Sequence, residues 1–520
     1  MFDTLFADIA TAAGLIFTVQ GVLAIAGGVV LGHWMGAIPG LTSSMAIALL
    51  IPVTFYLPTW VALSMLLGIY KGALFADSTA AILLRTPGMP AAAAVMIDGN
   101  ALTKQGKSGK ALKMALYSSV FGDTVSDIAL IFGAGLLAAV ALSFGPPEYA
   151  ALMIFALTII AGVAGRSMLK GVASTLFGLL LATVGTDPVT ATPRLTFGSI
   201  ELMDGFSLIP MLIGHLALSE VFTQFEKHRT RRRRDTGTAA DGAIDPEVLD
   251  GLAAPSTDPD DHRVTRADFR RAFPSMVRGS VIGTVLGAIP GLGATVASFL
   301  SYNEARRASK HPERFGKGAI EGVAAADSAS SAVSGANMIP LLAFGIPGDV
   351  VAAIMLGAFL IHGIVPGPMV FQNDIHVIYA IFIGLFMANI ANLVFGQIFI
   401  RIAVKVLSVP RSLLFPIIVA ITVVGSYSLN GNFSDVKVML AFGVLGFLML
   451  KFGFSPISLL IGFVLGPMLE TNIRRTLILS GDSILVFFTR PISLGIIIAA
   501  TLTLIAVLRL RRSMQESSFD

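Results

Sequence analysis

The 520-residue chain has no cysteine. Disulfide frameworks, thiol catalysis and thiolate metal sites are therefore excluded. Charge is almost as scarce. Asp, Glu, Lys and Arg make up 13% of the residues, about half the roughly 25% of an ordinary soluble domain. The seven His show no metal-ligand spacing, and neither a zinc-protease helix motif nor a phosphate-binding Gly-rich loop occurs. What fills the chain is apolar sequence: 55% hydrophobic residues and a mean hydropathy of +0.81. At roughly 20 apolar residues per crossing, this length holds about ten or more spans. A soluble enzyme, a secreted module and a disordered chain are all excluded. The stretches are continuous, as from Tyr379 to Ile400, whereas barrel strands alternate over about ten residues. The sequence thus predicts an all-α polytopic membrane protein embedded in a lipid bilayer. Its 53 Gly and 25 Pro suit spanning helices, where small residues permit close approach. The net charge of +4 reflects loop Lys and Arg, not a nucleic-acid partner. Asp3 and Asp8 precede the first span without a basic residue, unlike a cleaved signal peptide.

The chain repeats itself. Gly36-Ala37-Ile38-Pro39-Gly40-Leu41 recurs 251 residues later as Gly287-Ala288-Ile289-Pro290-Gly291-Leu292. Gly32 answers Gly283, and Ala46 answers Ala297. Ala76-Asp77-Ser78 matches Ala326-Asp327-Ser328, and Pro87-Gly88 matches Pro347-Gly348 after about ten inserted residues. Leu142-Ser143 is matched by Leu407-Ser408. Two homologous transmembrane repeats, 1–222 and 274–520, are therefore expected, joined by a cytoplasmic linker, 223–273, that is basic and then acidic.

Short cytoplasmic loops collect Lys and Arg, so loop charge gives orientation. The connection 51–60 has no basic residue, while its counterpart 303–317 has Arg306, Arg307, Lys310, Arg314 and Lys317. The next pair reverses: 89–113 carries Lys104, Lys107, Lys110 and Lys113, and 349–376 carries none. Equivalent loops on opposite sides are the mark of inverted-topology repeats. The resulting path starts outside, enters at roughly 14–36 and returns as 41–57, then crosses at 59–86 and near 114–140, 149–165, 168–186 and 206–222, which places the linker inside. It crosses again near 318–348, 377–403, 412–428, 436–451, 455–470 and 484–508, puts Arg474 and Arg475 outside, and ends inside at Arg509, Arg511 and Arg512.

Pro-Gly inside an apolar stretch breaks a helix, which hydrocarbon tolerates only beside protein or a water-filled cavity. Pro39, Pro290, Pro87, Gly88, Pro347 and Gly348 mark such hairpin breaks. The helix restarting after a break offers free N–H groups and a positive dipole end. Hydroxyls follow at once: Thr42, Ser43 and Ser44 after Gly40, and Thr295 and Ser298 after Gly291. These residues are the expected carboxylate contacts; a plain kink or external turn is the competing reading. Asp77 with Ser78, and Asp327 with Ser328, Ser330 and Ser331, are the expected ion-coupling residues, because intramembrane ionisable groups are costly and usually functional. Helix capping is the alternative for both Asp. Lys71 is read as a neutraliser of Asp77, an anion contact or a snorkelling side chain. Asp123 and Asp127, one turn apart, and Asn389 and Asn392 read as interior helix–helix contacts. His33 and His362 read as packed residues.

On these residues the chain resembles the large membrane subunit of the tripartite tricarboxylate transporters. The resemblance lies in Gly36 to Pro58, Gly287 to Gly348, Gly185-Thr186-Asp187-Pro188 followed by Arg194 to Gly198, and Gly466 to Glu470 through Arg474-Arg475 to Arg490-Pro491. It covers nearly the whole chain outside the linker. It departs from the family pattern at 75–78 and 326–331. The resemblance implies a multi-pass carrier of the bacterial inner membrane and not an enzyme. It implies ion-gradient-coupled uptake of a di- or tricarboxylate by symport with Na⁺ or H⁺, with no other cofactor and no ATP. A small four-helix membrane subunit and a periplasmic substrate-binding protein are the implied partners. One part is expected to move against another, as in an elevator. A passive anion channel and an intramembrane aspartyl protease, the latter from two opposed Asp residues, are the alternatives.

Overall fold

In hydrocarbon, backbone N–H and C=O groups must find partners inside their own segment, and the apolar runs do so as helices. A computed structural model describes residues 2–38, 41–163, 167–187, 189–234, 258–407 and 411–516. The first part comprises α1 (Phe2–Ile16), α2 (Val19–Ala37), α3 (Ser43–Thr54), α4 (Thr59–Leu84), α5 (Ala92–Lys104) and α6 (Ser108–Ala141). Then come α7 (Pro146–Val163), α8 (Met168–Ala182), α9 (Leu208–Leu212) and α10 (Ser219–Arg234), the last two joined by a wide helical turn at Ile213–Leu218. The later part comprises α11 (Arg266–Gly287), α12 (Gly293–Ala308), α13 (Ile320–Ala336), α14 (Met338–Phe344), α15 (Val350–Ile361) and α16 (Ile375–Leu407). It closes with α17 (Arg411–Asn430), α18 (Phe433–Lys451), α19 (Pro456–Leu479) and α20 (Pro491–Glu516). Among the described residues, the only sheet is a two-residue ribbon pairing Gly185 with Arg194 and Thr186 with Pro193. Among the described residues, seven helices are long and apolar enough to cross a membrane. The all-α class expected from the sequence holds.

The spans lie close to their sequence-derived positions. One addition is α1, a separate helix before the first expected span. Of the 223–273 segment, helix continues to Arg234 and resumes at Arg266. Pro39, Gly40, Pro188 and Ser408 lie outside the described residues.

Two helices are enclosed by the others. Every residue from Val61 to Leu84 of α4 is buried, and so is every residue of α13. Each is reached through glycine. Gly28, Gly32 and Gly36 of α2 lie against the backbone at Met65, Ile69 and Ala73 of α4. Gly279, Gly283 and Gly287 of α11 lie against Ala325, Ala329 and Val333 of α13. A Cβ at any of these six would collide with the facing helix, so the four-residue glycine stripe is what lets the backbones approach.

The two sets of contacts share one register. Each glycine is displaced by 251 residues and each partner by 260. Pro87-Gly88 and Pro347-Gly348 keep the offset of 260. By this register Asp77 corresponds to Asn337, and the pairing of Ala76-Asp77-Ser78 with Ala326-Asp327-Ser328 expected from the sequence is corrected. Ten residues is about three turns, or roughly 15 Å of helix, so in this packing register the two Asp residues sit at different levels of α4 and α13.

Candidate functional site

α4, α6, α13 and α16 enclose a polar centre. Lys71 of α4 is 1% exposed, and Asp123 and Asp127 of α6 are fully buried. The Lys71 Nζ lies 2.6 Å from Asp127 Oδ2 and 3.8 Å from Asp123 Oδ1. It also donates to Asn389 Oδ1 of α16 at 2.7 Å. Asn389 Nδ2 in turn donates to Asp127 Oδ2 at 2.7 Å, and Ser334 Oγ of α13 donates to Asp123 Oδ1 at 2.5 Å. Asp123 and Asp127 thus face the interior, as expected, and hold a cation there. Lys71 does not pair with Asp77: six residues on a helix are about 120° apart.

Asp327 sits beside this centre. Its Oδ1 accepts from Ser78 Oγ, tying α13 to α4, while Ser119 and Ser331 hydroxyls meet at 2.8 Å between α6 and α13. Gly122 lets α6 come down on the Ser328 backbone. Ser328 Oγ donates to Ala325 O at 3.3 Å, and Ser330 is buried nearby on the same helix. Oδ2 of Asp327, Oδ2 of Asp123 and Oδ1 of Asp127 have no hydrogen-bond partner among the described residues. Three carboxylates against one ammonium leave negative charge buried, which is costly unless a proton or cation joins it.

One helix that lines this centre is interrupted at a Pro-Gly. α4 ends at Leu84, with Arg85 in the left-handed region, and α5 begins after Pro87-Gly88. Asp77 reaches over this break. Its Oδ1 accepts from Gly88 N–H at 2.6 Å, and both of its oxygens accept from Met89 N–H at 3.0 Å. Ser43 Oγ donates to Met89 Sδ at 3.2 Å, and Thr42 caps α3 by accepting from Met45 N–H at 3.2 Å. Ser44 is buried behind them. From the other side, Ser298 Oγ donates to Ala91 O at 2.9 Å and to Ala326 O at 3.1 Å. The sequence-derived residues Ser43, Ser298 and Asp77 are thus gathered around one loop, 85–91. Thr295 lies one turn before Ser298 and is half-buried.

In the later part, α11 ends before Pro290, Gly291 has φ 89°, and its N–H donates to Gly348 O at 2.7 Å. Asn337 lies against Gly348; its Nδ2 donates to Tyr70 Oη at 3.3 Å, and Tyr70 donates to Asp349 Oδ2 at 3.4 Å. Asp77 and Asp327 have separate partners and share no hydrogen bond, so the geometry of an aspartyl dyad is not present between them.

Sequence reasoning passed over Asp98. Its Oδ1 accepts from the N–H groups of Gly316, Gly318 and Ala319 at 2.8, 2.8 and 2.9 Å, and its Oδ2 accepts from Tyr302 Oη at 3.0 Å. One carboxylate of α5 thereby fastens the loop between α12 and α13. The available signal was the pair of glycines at 316 and 318, both with positive φ. His33 bonds Asn392 at 2.8 Å and stacks on Phe399, and His362 bonds Thr54 at 3.1 Å. Both are packed residues.

Two other family-like runs, 185–198 and 466–475, meet in a second ionic cluster. Asp187 Oδ2 lies 2.8 Å from Arg474 Nη2 and 3.3 Å from Arg194 Nη1. Glu470 Oε1 lies 2.6 Å from Arg194 Nη1 and 2.8 Å from Arg474 Nη2. The backbone N–H of Thr190, then that of Val189, then Arg474 and Arg194 hold the Asp187 carboxyl down at about 2. A carboxyl held below its ordinary value stabilises the fold at neutral pH and loses that contribution as pH falls through about 4 towards about 2. Asp187→Asn is therefore expected to lower the melting temperature at neutral pH, with the gap to wild type closing across that window. Melting curves of detergent-solubilised protein test it; a gap constant with pH would refute the ion-pair account. An apolar cavity of about 340 Å³ opens nearby, lined by Leu181, Val184, Phe206, Leu356, Phe463 and Pro467. It has no basic lining residue and does not suit a carboxylate.

A multi-pass all-α chain with a fully buried ionic centre is built as the membrane component of a transporter. Residues 22–461 match the Tripartite tricarboxylate transporter TctA family, and the chain belongs to that family. Two similar proteins come from Agrobacterium vitis. One, described as a 52.8 kDa protein in the TAR-I ttuC' 3' region, is 37% identical over 493 residues, covering 95% of this chain and 94% of that protein. The other, from the TAR-II ttuC' 3' region, is 39% identical over 238 residues, covering 46% of this chain and 98% of that protein.

Proposed function

We propose that the chain carries a di- or tricarboxylate into the cell across the bacterial inner membrane, drawing on a Na⁺ or H⁺ gradient. The substrate arrives on a periplasmic binding protein, and a small four-helix membrane subunit completes the carrier. The observation that carries this reading is the buried group of Lys71, Asp123, Asp127 and Asp327 between α4, α6, α13 and α16. Its excess carboxylate is what a coupling cation would neutralise. In this reading Asp327, with Ser78, Ser328, Ser330 and Ser331, takes the coupling ion, and the hydroxyls and amides around 42–44 and 291–298 face the substrate. Asp77 leaves the ion-coupling set, since its carboxylate is committed to the amides of Gly88 and Met89. The common packing register of α2 on α4 and α11 on α13 supports two repeats. The reversal of loop charge supports their inversion, with the N-terminus periplasmic and the C-terminus cytoplasmic.

The test is uptake of labelled di- and tricarboxylates into proteoliposomes holding this subunit and its small partner. Runs with an imposed Na⁺ gradient, an H⁺ gradient, neither, and added binding protein separate the cases. Accumulation above equilibrium that follows one gradient is the expected result. Flux that only equilibrates would mean a channel, and no flux would remove carboxylates from the reading.

A further inference from the structure

The two breaks that share the offset of 260 are alike in their Pro-Gly and unlike in charge. At the first, a carboxylate of the protein itself lies on two backbone amides: Asp77 Oδ1 on Gly88 N–H at 2.6 Å, and Oδ1 and Oδ2 both on Met89 N–H at 3.0 Å. At the second, the corresponding residue is the neutral Asn337, fully buried against Gly348, with its Oδ1 unpartnered among the described residues.

The Asp77 arrangement is how a protein binds a free carboxylate, with two main-chain donors converging on one anionic group at the approach to a helix N-terminus. Among the described residues, no side-chain cation bonds this carboxylate. The ammonium on the same helix, Lys71, is taken by Asp127 and Asn389. The amides of Gly88 and Met89 therefore hold a 3%-exposed carboxylate by themselves, so this is a working anion position. It also lies where the substrate hydroxyls are expected. Ser43 touches Met89, and Gly88, Met89 and Pro87 remain half-exposed although Asp77 is not.

We propose that Asp77 is a specificity-determining residue whose carboxylate fills the anion position at the Gly88–Met89 break, so that the transported acid carries one carboxylate fewer than the site would otherwise take. This rests on the carboxylate-carrier reading above. A dicarboxylate is then preferred over a tricarboxylate, for two reasons. The third carboxylate finds its amides occupied, and it meets a second acidic group, Asp77, in a low-dielectric setting.

Two variants test this. Asp77→Gly empties the position, and Asp77→Asn keeps the shape while removing the charge. Uptake of succinate and of tricarballylate into proteoliposomes gives the ratio of kcat/KM for two against three carboxylates. Wild type is expected to favour succinate. Asp77→Gly is expected to shift the ratio at least about tenfold towards tricarballylate, and Asp77→Asn by less in the same direction, as charge relief alone would give. Formate supplies an independent readout: at millimolar concentration it is expected to raise the melting temperature of Asp77→Gly and return its ratio towards wild type, with no effect on wild type. Unchanged ratios in both variants, with wild type transporting succinate, overturn this inference and leave the carrier reading intact. If Asp77→Gly fails to fold, an unchanged ratio in Asp77→Asn overturns it alone. A wild-type protein that moves neither acid overturns both.

Discussion

Lys71→Met is expected to abolish uptake and to destabilise the protein by about 3–5 kcal/mol, the usual cost of removing one partner from a buried ion pair. The reason is local. Lys71 Nζ is the nearest positive charge to two fully buried carboxylates, at 2.6 Å from Asp127 and 3.8 Å from Asp123. Methionine fills the aliphatic stem and removes the ammonium, leaving two α6 carboxylates unbalanced. One oxygen of each is already unpartnered. The double variant Lys71→Met/Asp127→Asn removes both charges of the close pair and is expected to recover most of the stability but none of the transport. Thermal melts and proteoliposome uptake on the single and double variants separate the two roles. Wild-type uptake in Lys71→Met would place this charge outside the mechanism.

Asp327→Asn is expected to reduce gradient-driven accumulation to the level of empty vesicles while exchange continues. In exchange, labelled substrate outside replaces unlabelled substrate inside, and the coupling ion need not be released between half-cycles. Asn preserves the contact with Ser78 and the packing of α13, since it matches Asp in size and keeps one carbonyl oxygen, but it cannot take up a proton or offer a charge to Na⁺. Uptake and exchange measured on the same vesicles give the answer. Loss of both would assign Asp327 to substrate binding or folding, and retention of both would remove it from coupling.

Much of the fold was legible because it follows from solvent. Apolar runs of spanning length become helices with few other options, and α4 and α16 lie within a few residues of their expected positions. The breaks were legible for the same reason, since Pro-Gly interrupts an apolar run at a definite place. The partners of the buried charges were not. Lys71 finds Asp127 across a helix interface some 56 positions along the chain, and no local pattern encodes that pairing. The Ala-Asp-Ser echo misled because the surrounding helices are built of Ala, Gly and Ser, where a three-residue identity recurs easily at the wrong level. The glycine stripes carry the true register, because each glycine is fixed by a backbone it must clear. Asp98 was missed for a related reason: three of its four partners are amides, which have no letter in the sequence.

That last contact has a consequence for how the chain can change over time. Three of the four groups that Asp98 holds belong to the main chain of residues 316–319, so the latch is indifferent to most of the side chains it grips. Lys317 is free to drift. Gly316 and Gly318 are not, with φ of 82° and 103°, and neither is the spacing between them. A single inserted residue would carry an amide out of reach of the carboxylate. This segment is therefore one whose length is under tighter constraint than its spelling, and a survey of natural variants should find substitutions there without insertions or deletions.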